Sequence, residues 1–277
     1  MTDPFLSDGA RRREPIFFMP IAVVALVAAL IVFYAVLINL GEAAQDFLVR
    51  DLAFSPGRLT VAIWPDRLDE LLARVNSDPN ALAQAQIARE LLPVPGGALA
   101  WTFVTYALLH ASWPHVILNA IWLVAFGPPI ARRFGAARFF AFFAFTAAAG
   151  ALAQWAVRPM EFAPMIGASA ADSGLMAAAA RFIFQPGAPL GGPKPDQPAP
   201  GEGDDEAAPP LGDLIRQRRA VLFIAIWMAT NFIFGAGAQT LGASDAPVAW
   251  IAHTGGFVAG LLAFPLFDRR RRREAAV

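Results

Sequence analysis

The 277-residue sequence contains no cysteine. That excludes a disulfide scaffold, a thiolate zinc site and a cysteine nucleophile, though it assigns no redox compartment. Charge is scarce as well. Only 16% of residues are charged, and 22 basic side chains balance 22 acidic ones to a net charge of zero. Such a balance gives no bulk attraction to nucleic acid or to anionic surfaces, so no nucleic-acid partner is expected. Histidine occurs three times, at His110, His115 and His253. The first two are five apart, and neither a cysteine nor a close acidic residue completes a ligand set, so no metal or other cofactor is expected. No internal repeat is visible, and charged residues within the apolar stretches are few. Both features count against a transporter or channel with a polar core.

What the chain has in excess is apolar surface. It is 57% hydrophobic with a mean hydropathy of +0.49, which indicates an integral membrane protein whose solvent is the lipid bilayer. Six apolar segments stand out, at 16–40, 112–131, 136–157, 169–184, 219–237 and 248–267. Each is near or slightly below the ~20 residues that a spanning helix needs. Pro15 to Leu40 is uncharged and well beyond the roughly 7–15 residues of a signal-peptide core, so it reads as a true span. The expected fold is therefore all-α, with six transmembrane helices.

Basic residues set the orientation. Arg11 to Arg13, Arg132, Arg133, Arg138, Arg216, Arg218, Arg219 and the run Arg269 to Arg273 all fall on one side of a six-span chain. Arg158 is the only basic residue in the two short connections of the other side. Both termini are then cytoplasmic, as in a multi-pass protein of a bacterial inner (cell) membrane. Trp113, Trp155 and Trp250 lie at the outer ends of their segments, an aromatic belt. The organisation reads as a cytoplasmic tail (1–15), a membrane domain (16–267) and a basic tail (268–277). Within the membrane domain, 41–111 is a long outer connection and 185–218 a flexible cytoplasmic linker rich in proline and glycine. In the outer connection, Leu68, Leu71, Leu72 and Val75 form an apolar stripe at helical spacing, which predicts a short amphipathic helix at the outer surface over Asp66 to Val75. Ala98 to Leu109 is apolar but too short to span, so it reads as re-entrant or interfacial.

Chemistry concentrates at the outer starts of segments two, four and six. His115 and Asn119 lie about one and two turns into the second, Ser169 opens the fourth, and His253 is about one turn into the sixth. Pro164 and Gly167 break the backbone before Ser169. If the fourth helix reaches the inner interface, its ~24 Å length leaves Ser169 sunk below the outer surface, in a pocket that must be hydrated. A serine hydroxyl needs a base to take its proton, and His253 is the only histidine on segment six. The Ser169 N–H, His115 and the Asn119 amide are candidate donors to an oxyanion. Ser173 ranks second as nucleophile, because it lies a turn deeper without the backbone break. Ala170 and Gly174 are four apart, as are Gly256 and Gly260, and such small faces let two helices approach closely.

These residues resemble the rhomboid intramembrane serine proteases. Trp101 to His110 is similar to the family's re-entrant L1 stretch. His110, His115 and Asn119 match its HxxxxHxxxN pattern. Gly167-Ala168-Ser169 matches the first three positions of GxSG, Ala252-His253-Thr254-Gly255-Gly256 matches AHxxG, and Phe126-Gly127 fits the end of the second span. The resemblance covers residues 99–267. It implies a six-helix rhomboid-like bundle around a hydrated cavity that opens outward. It further implies a Ser–His dyad that cleaves transmembrane protein substrates near the outer face, at helix-weakened segments with small residues near the cut. By matching position, Ser169 is the nucleophile, His253 the base, and His115 and Asn119 the oxyanion donors. His110 matches a position that holds L1. Three departures stand against the pattern. Ala170 replaces the second motif glycine, and its methyl is expected to loosen helix four against helix six. Thr102 stands where the family often has arginine, and Ser173 where an aromatic often packs on the histidine. The alternative they suggest is a proteolytically inactive rhomboid-like protein that binds or sorts membrane clients.

Overall fold

A computed structural model describes residues 19–92, 100–185, 210–233 and 249–268. Among these the structure is helical, apart from one isolated antiparallel bridge between Phe54 and Met165. The tails 1–15 and 269–277, and most of the expected linker 185–218, lie outside the described residues. In chain order the helices are α1 (Ile21–Leu37), α2 (Glu42–Leu52), α3 (Pro56–Ile63), α4 (Asp66–Ala73), α5 (Pro79–Leu91) and α6 (Thr102–Thr105), which runs into a 3₁₀ turn (Tyr106–Leu108). Then follow α7 (Trp113–Phe134), α8 (Ala136–Val157), α9 (Ser169–Ala180), α10 (Leu211–Leu214), α11 (Arg218–Phe232) and α12 (Trp250–Phe267).

Three helices, α7, α8 and α12, are long and apolar enough to cross a membrane, and α1 is a shorter apolar helix of 17 residues. Local chemistry explains their limits. Ser112 caps α7 by accepting the His115 N–H at 3.3 Å, and Pro114 sits in the first turn, where its missing N–H costs nothing. Gly135, at φ 78°, reverses the chain between α7 and α8 in a conformation that an L side chain resists.

At the centre is α9, whose residues Ala170 to Ala180 are all buried. It packs against α7, α8 and α12, and α12 packs as extensively on α8 as on α9. With 12 residues it is ~18 Å long, shorter than the 16 expected. The helix closes early because the N–H groups of Arg181 and Phe182 bond carbonyls three residues back, and the Arg181 side chain turns inward to donate to the Leu261 carbonyl at 3.0 Å. By contrast α11 buries only Ala220. Its inward face carries Phe223, which meets Phe126 and Phe184, and Trp227, which stacks on Phe257 with ring centroids 4.2 Å apart.

At the end of the bundle away from Ser169, Arg133 donates from Nε and Nη2 to the two oxygens of Asp268 at 3.1 and 2.7 Å. Both side chains are 3% exposed, and the guanidinium lies over the Phe182 ring. Removing one partner from such a pair strands the other charge. Asp268→Ala is expected to cost about 3–5 kcal/mol, read as a large drop in the thermal unfolding midpoint in detergent. An unchanged midpoint would show the pair to be dispensable.

The outer connection folds into a layer of its own. The stripe expected over Asp66 to Val75 is α4, but it does not lie bare at the surface: Leu71, Leu68 and Val75 join Ala81, Ala85, Ala88 and Leu91 of α5 around Phe162. Leu72 stays exposed. This layer grips the 158–166 loop. Ser55 Oγ donates to the Phe162 carbonyl at 3.0 Å, Gly57 N–H to that of Glu161 at 2.8 Å, and Met165 N–H to that of Phe54 at 2.7 Å. Gln84 Oε1 accepts the Phe162 N–H at 2.6 Å. The described part of Ala98 to Leu109 is inserted into the bundle, not laid across it: Thr102, Tyr106 and Ala107 are buried, and the Tyr106 hydroxyl donates to the Ala147 carbonyl of α8 at 2.9 Å.

Candidate active site

The N-terminal ends of α7, α9 and α12 meet. Ser169 Oγ lies 2.7 Å from His253 Nε2. The approach depends on glycine. A Cβ at Gly256 would lie 2.0 Å from the Ala170 carbonyl oxygen, and one at Gly260 would lie 2.3 Å from that of Gly174. Backbone touches backbone at both crossings, the close packing that the two small-residue pairs suggested.

Gly167, at φ 110°, delivers the chain into α9, and its N–H is held by the Tyr106 carbonyl at 3.0 Å. The His115 ring lies against its open face: a Cβ there would meet Nε2 at 2.6 Å, and the Asn119 amide nitrogen at 3.8 Å. Asn119 also donates to the His115 carbonyl at 3.0 Å, which leaves its second N–H free to point elsewhere. Thus His115 and Asn119 border the backbone two residues before Ser169. The N–H groups of Ser169, Ala170 and Ala171 open the helix without intrahelical acceptors, so the local field favours negative charge.

His110 stands behind this group. Its ring packs edge-on against His115 with centroids 5.0 Å apart, and Nδ1 donates to the Leu108 carbonyl at 3.3 Å. Burial pushes its imidazole down to about 4, so it is neutral at physiological pH. Ser173 back-bonds to the Ser169 carbonyl at 2.7 Å, so its hydroxyl proton is engaged away from His253. Asp172 is 2% exposed, and neither of its carboxylate oxygens has a protein partner.

The expected effect of Ala170 needs correction. Its methyl does not press on α12. It points at α8, where a Cβ on Gly150 would lie 2.6 Å from it. Gly150 has none, so the methyl fills that space, while the Ala170 backbone is what faces Gly256.

One neighbour was missed at the level of sequence. Asn231 of α11 places Oδ1 2.8 Å from His253 Nδ1. Its Nδ2 donates to the Trp250 carbonyl at 3.1 Å and to Thr254 Oγ1 at 3.2 Å. A lone amide within the apolar run 219–237 was the available signal, since a polar group there needs a partner.

Ser169 and His253 thus form a hydrogen-bonded pair on a bundle of apolar helices. A family model described as Rhomboid domain matches residues 98–270. A 75-residue stretch is 32% identical to the Bacillus subtilis (strain 168) protein named Putative rhomboid protease YdcA, over 27% of this chain and 37% of that one. The match spans little more than a third of that relative's length. The chain belongs to the rhomboid family, and is an integral membrane protein.

Proposed function

We propose that the chain is an intramembrane serine endopeptidase that hydrolyses a peptide bond in transmembrane segments of other proteins, near the outer face. The observation that carries this reading is the 2.7 Å contact between Ser169 Oγ and His253 Nε2 at the mouth of a buried helix. Ser169 Oγ attacks the scissile carbonyl carbon as its proton passes to His253 Nε2. The resulting oxyanion takes hydrogen bonds from the Ser169 N–H and from His115 and Asn119. His253 then protonates the leaving amine, and the C–N bond breaks to leave an acyl-serine. Water, deprotonated by His253, attacks that ester and frees the carboxylate product and Ser169.

In this reading six helices, α1, α7, α8, α9, α11 and α12, span a bacterial inner membrane with both termini cytoplasmic. The arginines at 132, 133, 218 and 219 support that orientation. Family membership supports the activity at its coarser level. The fit of the Ala170 methyl over Gly150 removes a main motive for the inactive alternative. The test is fluorophosphonate labelling of the purified chain in detergent, followed by mapping of the modified residue. Label on Ser169 is the expected result. An unlabelled, folded chain would overturn the proposal in favour of a client-binding role.

A further inference from the structure

Resting on the serine-protease reading, we infer that Asn231 is a positioning residue for His253: it fixes the tautomer that leaves Nε2 as the base, and so ties the dyad to the seating of α11. The hydrogen-bond directions around it admit one solution. The Trp250 carbonyl can only accept. Thr254 Oγ1 donates its single proton to that carbonyl at 3.0 Å, so toward Asn231 it can only accept. Both contacts therefore demand an N–H from Asn231, at 3.1 and 3.2 Å, and this sets the nitrogen end of the amide without ambiguity. The oxygen end must then face His253 Nδ1, 2.8 Å away, and an oxygen there requires Nδ1 to carry the hydrogen. With Nδ1 protonated, a neutral imidazole has its lone pair on Nε2, the atom 2.7 Å from Ser169 Oγ. The chain of constraint runs from one backbone carbonyl to the nucleophile.

Placement gives this bond a second meaning. Ser173 occupies the position on α9 a turn below Ser169, and its hydroxyl is turned to the Ser169 carbonyl. Among the described side-chain hydrogen bonds, His253 has two partners, Ser169 and Asn231. The second comes from α11, of which only Ala220 is buried and which also makes ring contacts through Phe223, Trp227 and Phe232. Withdrawal of α11 would thus free the imidazole to rotate or change tautomer while Ser169 and the α9–α12 crossing stay in place.

The experiment compares the rate of fluorophosphonate labelling of Ser169 across pH for the full chain and for Asn231→Ala, Asn231→Asp and Asn231→Leu, each checked for thermal stability. The other titratable groups near that end of the packed helices are His115 on α7, His110 just before it and Asp172 on α9, and they are common to all four proteins. Asn231→Ala and Asn231→Leu are expected to slow labelling about 10²-fold, the lower end of what a positioned acid–base group contributes. Asn231→Asp keeps an acceptor at Nδ1, so it is expected to retain most of the rate. Its carboxylate favours the imidazolium, which moves the acidic limb of the profile to higher pH. A merely structural role would not move that limb. Wild-type rates in Asn231→Ala, or a slowed Asn231→Asp with an unmoved limb, would overturn the inference and leave the protease reading intact. Failure of the unaltered chain to label would overturn both.

Discussion

Ser169→Ala and His253→Ala should each abolish cleavage of a transmembrane substrate while the protein remains folded and inserted. Among the described residues Ser169 supplies the only hydroxyl bonded to His253 Nε2, and Ser173 is engaged with a backbone carbonyl and cannot replace it. Both changes remove polar atoms at the mouth of the bundle and leave the α9–α12 crossing untouched, so fold stability should move little. Because the two groups act as a unit, the double variant should be little worse than either single one. The measurement is turnover of a purified substrate in proteoliposomes beside thermal unfolding. Substantial cleavage by Ser169→Ala would rule out the assignment. His115→Ala and Asn119→Ala belong to the same experiment with smaller effects, up to about 10²–10³ in the rate of chemistry for each donor lost.

The second large effect should come from a residue with no polar atom in its side chain. In Gly256→Ala the added methyl would sit 2.0 Å from the Ala170 carbonyl oxygen, so two backbones must separate. The separation acts directly on the dyad, since Ser169 precedes Ala170 and His253 lies one turn before Gly256. A displacement of about 1 Å at a reacting pair can cost about 10² in rate. Overpacking costs a further 1–3 kcal/mol or so of stability, more than alanine's helix preference returns. We expect Gly256→Ala to lose at least about 10²-fold in Ser169 labelling. Ala170→Gly, which only empties the space over Gly150, should stay close to wild type. Gly212→Ala serves as control, because nothing lies within 4 Å of its Cβ position. Equal labelling in Gly256→Ala and the control would mean that the close crossing does not set the dyad.

Much of this was legible in the sequence because membrane helices announce themselves by length and apolarity. The limits of α7, α8 and α12 lie within three residues of those expected, since long apolar runs set them. The meeting of Ser169 with His253 followed from three helix starts sharing one end of the bundle. What was not legible depends on side-chain direction. Spacing placed Ala170 on the α12-facing stripe, but its methyl leaves the helix toward α8, and only its backbone faces Gly256. Asn231 was visible as a polar residue in an apolar run, yet nothing in α11 says which histidine it would reach. The layer α2 to α5 carries short, weakly patterned helices, and its side chains Ser55, Thr60 and Gln84 bond backbone groups of the 158–166 loop, which no side-chain pattern in that loop encodes.

That layer has a consequence for the order in which the molecule is built. The bond from Ser55 to Phe162 closes a separation of 107 residues, and Ser169 and His253 are 84 apart. Closing long loops is entropically late, so local pairs such as α4 with α5 and α7 with α8 form ahead of either contact. A chain emerging from the ribosome therefore presents Ser169 before His253 has been synthesised. In the proposed reading, the Ser169–His253 pair that hydrolysis needs is complete only when α12 joins α9, so the growing chain carries the serine without its base.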